Sequence, residues 1–197
     1  MARAAVGFAA ATTGVKAVAL VKEAVVAAAF GVSGAMDAYL MGLMLIGVPM
    51  GVLINAIQTA LIPQLIEVRE RRGTQASAVF LRSAASATLI TMAAVLLLWA
   101  AMLPWLISIV GHGFDPAKRE LVRTMFSWLV PYYFLNGLNL LGHGALQAQK
   151  QFLTSALAPL CTSLATIGVV LAARGDIRAL AMSMVLGSLL EWVVVQW

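Results

Sequence analysis

Three charged side chains interrupt the first apolar segment of this 197-residue chain. In the run VKAVALVKEAVVAAAFG, residues 15–31, Lys16, Lys22 and Glu23 stand among alanines and valines. A charge at the centre of a bilayer costs at least about 2.5–3.5 kcal/mol on insertion scales, so it usually faces water, a partner or a substrate path. We interpret the three charges as part of a polar substrate pathway. The alternatives are lysines that snorkel to an interface and a structural ion pair with a later helix.

The spacing of these charges sets what they can do on a helix. At about 100° per residue, Lys16 and Glu23 share a face but lie about 10 Å apart along the axis, too far for a direct ion pair. Lys22 projects about 120° away from Lys16. All three can face a bundle interior, but we expect no simple neutralisation among them. Lys16 lies near the middle of its segment, where snorkelling works badly.

Later segments add single acids and two polar faces. Asp37 opens the second segment, either as a helix N-cap or as a substrate-binding group. Glu191, in the last segment, is an acid that needs a partner or water. The polar faces either hydrogen-bond between helices or wet a cavity. One face carries Asn55, Gln58 and Thr59, and the other carries Tyr132, Asn136, Asn139, His143 and Gln147. We predict that Asn55, Gln58, Asn136, Asn139 and His143 line a cavity.

The composition places these residues in a membrane. The chain is 62% hydrophobic and 11% charged, against about 45–50% and about 25% for soluble domains. It therefore predicts an all-α integral membrane protein. The net charge of +5 suits lipid head groups or topology, because no basic run is interleaved with aromatics as nucleic-acid binding requires. Cys161 is read as a buried small residue, and no metal or catalytic motif occurs. We expect no enzyme activity, no metal and no cofactor.

About six apolar segments carry the chain back and forth. They span roughly residues 4–30, 37–67, 77–110, 120–149, 152–173 and 179–197. Pro49, between two glycines, predicts a bend, and Asp115–Pro116 predicts a helix start. The basic turn EVRERRG, residues 67–73, favours the cytoplasmic side. The last segment is still apolar at Trp197. We therefore expect residues 1–197 to form one helical lobe of a longer protein.

Two stretches of the chain resemble a known family. VKAVALVKEAVVAAAFGVSGAMDAYLMGLMLIGVP, followed by AIQTALIPQLIEVRERRG, resembles the start of the MurJ/MviN-type lipid II flippases, in the multidrug/oligosaccharidyl-lipid/polysaccharide exporter superfamily. PYYFLNGLNLLGHGALQAQKQFLTSALAP resembles the turn between their fourth and fifth helices. The resemblance covers roughly Thr12 to Ala173. It implies two lobes around a central cavity, with this chain as the N-terminal lobe and a missing C-terminal lobe as its partner.

The resemblance also implies a function. Members move polyprenyl-pyrophosphate-linked glycans across the bacterial inner membrane by alternating access, for peptidoglycan and cell wall biogenesis or polysaccharide export. Lys16 and Lys22 match arginines of the family, and Glu23 and Asp37 match aspartates, which implies that these four bind substrate. Lysine lacks the bidentate fork of arginine, and MLIGVPMGVLINA lacks the family's basic residues. The substrate is therefore either lipid II or an exopolysaccharide precursor.

Two other functions remain open from the sequence. A cation-coupled multidrug antiporter of the same superfamily would need an acidic cavity, and Lys16 and Lys22 offset Glu23 and Glu191. A non-transporting membrane scaffold or an inactive fragment would tolerate the loss of Lys16.

Overall fold

The chain is built from α-helices. A computed structural model describes residues 2–149, 151–173 and 175–196, with side chains from residue 10 onward. The helices are α1 (Ala2–Phe30), α2 (Gly34–Val110), α3 (Pro116–Ala148), α4 (Phe152–Leu157), α5 (Leu160–Ala172) and α6 (Ile177–Gln196). Within the described residues, three stretches are long and apolar enough to cross a membrane, namely Gly34–Val110, Phe152–Ala172 and Ile177–Gln196. The prediction of an all-α membrane protein is confirmed. The prediction that the last apolar segment continues through Trp197 concerns a residue outside the described ranges.

Helix α2 is two helical arms joined at one glycine. Its 77 residues would be about 115 Å long if straight, far more than the ~30 Å of a hydrocarbon core. Gly73 has φ 83° and ψ −178°, a conformation that glycine adopts without steric cost. The arms then pack on each other, since Trp99 Nε1 donates to the carbonyl of Leu45 at 2.7 Å. The sharp turn is therefore at Gly73 and not at Pro49, which keeps helical dihedral angles.

Polar side chains start the helices that follow the loops. Ser33 Oγ accepts from the amide of Met36 at 3.2 Å and caps α2. Asp115 Oδ1 accepts from the amide of Lys118 at 3.3 Å, and Pro116 occupies the first turn of α3. The predicted helix start at Asp115–Pro116 agrees with this geometry. Asp37 does not cap α2, because Ser33 holds that position and Asp37 lies one turn inside.

The core forms where both arms of α2 meet α3. Ile46, Met50, Met92, Met125 and Leu129 are fully buried there. The approach is close: a Cβ on Gly42 would stand 3.0 Å from the Cβ of Met125. Small residues at such crossings let helix backbones approach in membrane proteins. The α2–α3 core is continuous with buried residues of α6. This contact holds α3 and α6 together, and both helices carry polar side chains that meet between them.

Candidate functional site

Lys16 lies at the centre of α1, equidistant in sequence from Ala2 and Phe30. Its side chain is exposed and lines a cavity of about 400 Å³. Gln147 of α3 and Ser155 of α4 line the same cavity. Among the residues that the structure describes, Lys16 makes no salt bridge. The arrangement offers an uncompensated cation beside hydrogen-bonding side chains, which suits an anionic group.

Lys22 and Glu23 form an ion pair, contrary to the expectation that the three charges would not neutralise one another. Their Nζ and Oε1 atoms are 2.8 Å apart. Adjacent residues project about 100° apart on a helix, but the four-carbon stem of lysine is flexible enough to reach back. Both residues line a second cavity of about 110 Å³, to which α5 contributes Thr162 and Thr166.

Asp37 is engaged between helix ends. Its Oδ2 atom lies 2.9 Å from Nζ of Lys118, in the first turn of α3. The same ammonium group stands 4.1 Å from the centre of the Phe114 ring, a cation–π distance. The smaller cavity is lined by Met36 and Leu40, on either side of Asp37, but not by Asp37 itself. The bridge ties the start of α2 to the start of α3.

The two polar faces predicted from the sequence have different surroundings. On α3, Asn136 donates to Tyr132 at 3.2 Å, and buried Asn139 donates to the carbonyl of Ser188 in α6 at 3.1 Å. On α2, Asn55 and Gln58 are exposed, and Asn55 Nδ2 donates to the carbonyl of Gly51 at 2.9 Å. The α3 face therefore contacts α6. A cavity-lining role for Asn55 and Gln58 stays a prediction.

His143 and Glu191 form a largely buried polar pair that sequence reasoning did not join: Glu191 is buried and His143 half-buried. Nε2 of His143 lies 3.0 Å from Oε1 of Glu191, and Nδ1 lies 3.0 Å from Oγ of Ser155. Thr162 Oγ1 donates to the other carboxylate oxygen of Glu191 at 2.9 Å. Helices α3, α4, α5 and α6 each supply one member. The signal in the sequence was an acid without a partner and a histidine on a polar stripe.

Two glycines bring the helices of this cluster together. A Cβ on Gly142, next to His143, would stand 2.9 Å from the Cβ of Val195 in α6. A Cβ on Gly187, one turn before Glu191, would stand 2.5 Å from the Cα of Thr162 in α5. Real Cβ contacts essentially never come that close. Both crossings therefore depend on the absence of a side chain, and this close packing sets the hydrogen-bond distances of the pair.

Comparison with known proteins agrees with the fold and with the resemblance. A sequence model of the family described as "Lipid II flippase MurJ" matches residues 26–196. The chain belongs to this family. A protein of Synechocystis sp. named "Probable lipid II flippase MurJ" is 27% identical over 151 residues, which is 75% of this chain and 28% of that protein. The chain therefore spans under a third of the length of this relative.

The family match places the candidate residues unevenly. It begins at residue 26, so Asp37 and the α3 stripe lie inside it, together with the His143–Glu191 pair. Lys16, Lys22 and Glu23 lie before it. Their assignment as substrate-binding residues rests on the cavity geometry and on the resemblance, and it stays a prediction.

Proposed function

We propose that this protein is part of a flippase that moves a polyprenyl-pyrophosphate-linked glycan across the bacterial inner membrane by alternating access. Membership of the MurJ family and the long apolar helices support this proposal. A second, C-terminal lobe completes the transport path. The proposed ligands are the lipid-linked glycan and the surrounding membrane lipids.

The observation that carries the proposal is the position of Lys16. A pyrophosphate head group must cross a region of low dielectric constant, where its negative charge is poorly solvated. An uncompensated ammonium group in a cavity at the centre of α1 lowers that barrier. Gln147 is placed to hydrogen-bond phosphate or sugar oxygens in the same space, and Ser155, whose hydroxyl already contacts His143, borders it. The polyprenyl tail stays in lipid while the head group crosses.

Lys22 plays a secondary part in this proposal. Its charge is already compensated by Glu23 at 2.8 Å, so a phosphate must compete with the carboxylate. Glu23 then limits how tightly the second lysine holds the anion, which helps release. Lys16 therefore contributes more than Lys22 to binding of the pyrophosphate.

The glycan itself is either lipid II or an exopolysaccharide precursor. Arginine binds phosphate through a planar fork, whereas lysine acts as a point charge. Two lysines therefore recognise the charge of the pyrophosphate and leave glycan selection to other residues.

The test uses the full-length protein with substitutions at Lys16. We expect Lys16→Ala to abolish transport of the lipid-linked glycan while the protein accumulates normally, and Lys16→Arg to retain much of it. Arg82→Ala is the control, because Arg82 is an exposed cation on α2 that lines neither cavity. Normal transport by Lys16→Ala would overturn the site. Failure of Lys16→Ala to accumulate would instead show that the lysine holds the fold, which also overturns it.

A further inference from the structure

The His143–Glu191 pair joins a half-buried histidine to a buried acid, and the transport of the anion does not itself require it. Glu191 is 9% exposed and belongs to an apolar helix long enough to cross a membrane. Ionisable residues inside membranes are rare because they are costly, and His–Glu chains there commonly relay protons. Interhelical hydrogen bonds in membrane proteins are worth about 0.6 kcal/mol on average. That gain is smaller than the cost of the charge, so helix adhesion alone does not account for the pair.

The hydrogen bonds of the pair are compatible with two protonation states. With neutral imidazole and ionised carboxylate, Nε2–H donates to Glu191 and Nδ1 accepts from the Ser155 hydroxyl. After uptake of one proton, both ring nitrogens donate and the Ser155 hydroxyl turns to accept, because a serine hydroxyl is both donor and acceptor. The first state carries one negative charge and the second is net neutral. No hydrogen bond of the ring is lost between them.

The pair also lies between the two cavities. Ser155, which contacts His143, lines the cavity of Lys16. Thr162, which contacts Glu191, lines the cavity of Lys22 and Glu23. One hydroxyl on each side of the pair therefore borders the space where a phosphate would bind. Close by, Asn139 Oδ1 and Ser188 Oγ are buried and have no hydrogen-bond partner among the described residues.

We propose that the His143–Glu191 pair is a proton-binding site whose protonation is coupled to anion binding in the two cavities. This proposal rests on the proposed function only for the identity of the anion. The unprotonated pair repels an anion through its negative charge, and the protonated pair does not. Proton and anion therefore favour each other's binding, and by linkage the effect is reciprocal.

Other titratable groups surround the pair and shape its field. Lys16 shares the larger cavity with Ser155, and Lys22, Glu23 and Tyr39 share the smaller one with Thr162. The remaining groups are Tyr132 on α3 and Cys161 on α5, which lie within electrostatic range of Glu191.

The proton site is tested first without any ligand. Ring-labelled histidines of the full-length protein are followed by NMR between about pH 5 and 8, where imidazole ordinarily changes charge. The signal lost in His143→Gln identifies His143. We expect that signal to change with pH in wild-type protein, and its midpoint to move in Glu191→Gln, because that substitution removes the carboxylate 3.0 Å from Nε2. Glu120→Gln, the same change at an exposed acid on α3, leaves the midpoint unchanged.

A titration that is absent, or identical in wild type and Glu191→Gln, would overturn the proton site.

Coupling to the anion is tested with farnesyl pyrophosphate, a short polyprenyl pyrophosphate, as the probe. We expect its affinity for wild-type protein to rise several-fold between about pH 8 and pH 6. Because the probe itself titrates, the reporting quantity is the difference between wild type and Glu191→Gln. Equal pH dependence in the two proteins would overturn the coupling. Transport of lipid-linked glycan is measured separately, and its absence at every pH would overturn the proposed function while the NMR result still decides the proton site.

Discussion

Replacing Gly187 with alanine tests whether close helix packing positions the polar pair. Gly187 lies on α6 one turn before Glu191 and faces Thr162 on α5. The added Cβ would stand 2.5 Å from the Cα of Thr162, 3.1 Å from its Cβ and 3.2 Å from its Cγ2. The nearest of these is a backbone atom, so rotation of a side chain cannot relieve the clash. Helices α5 and α6 must separate.

The structure gives the size of the effect. Ordinary van der Waals contact begins at 3.4 Å, so the 2.5 Å approach requires a separation of about 0.9 Å. Added to the 2.9 Å bond from Thr162 to Glu191, that movement breaks the bond, at a cost of about 0.6 kcal/mol. Overpacking costs about 1–3 kcal/mol, and alanine regains up to about 1 kcal/mol of helix propensity. The net expectation is a loss of about 1–2 kcal/mol in the free energy of unfolding.

The assay compares two glycine-to-alanine variants of the full-length protein. Unfolding in mixed micelles is followed by tryptophan fluorescence, with Gly168→Ala as the control. Gly168 lies on α5, and a Cβ there would meet nothing within 4 Å, so this variant should be as stable as wild type or more so. If Gly187→Ala were as stable as Gly168→Ala, the close approach of α5 and α6 would be wrong.

Three further predictions concern the helix ends. A reporter fused at Gly73 should be cytoplasmic and one at Gly113 external, because the basic cluster favours the inside; a periplasmic Gly73 fusion would reverse this orientation. Gly73→Ala should lower the free energy of unfolding by about 1–3 kcal/mol, because its positive φ with an extended ψ is a region open essentially only to glycine, and a neutral result would contradict the turn. A double-mutant cycle of Asp37→Asn and Lys118→Met should give a coupling below about 1 kcal/mol, because Asp37 is half exposed; a much larger coupling would mean that the bridge is shielded from water.

The helices were predictable because their signals are local. Apolar length, the Asp115–Pro116 start and the small-residue breaks are each read within a few positions. The turn at Gly73 was predicted too wide, since Glu67 and Arg71 remain helical and pair at 3.2 Å. Charged residues end a membrane segment without ending a helix. The hydropathy pattern shows where a membrane segment ends, whereas the backbone dihedral angles show where the helix ends.

The partners of the polar residues were not predictable, because they depend on tertiary contacts. His143 and Glu191 are 48 residues apart, and no periodicity within one helix links them. The helical-wheel argument treated Lys22 and Glu23 as fixed directions, whereas a lysine side chain sweeps a wide arc. For Asp37, the sequence offered a cap, but Ser33 is closer to the start of the helix and leaves the carboxylate to Lys118.

The same α6 surface carries both the close packing and the ionisable group. Gly187 and Glu191 are one turn apart and both contact Thr162, so the α5–α6 contact and the pair share this residue. In the proposed protonated state the imidazolium neutralises the pair as a whole, while the carboxylate stays ionised and keeps its hydrogen bond from Thr162. The proposed protonation therefore changes the net charge beside the α5–α6 contact without removing the hydrogen bond that joins the two helices.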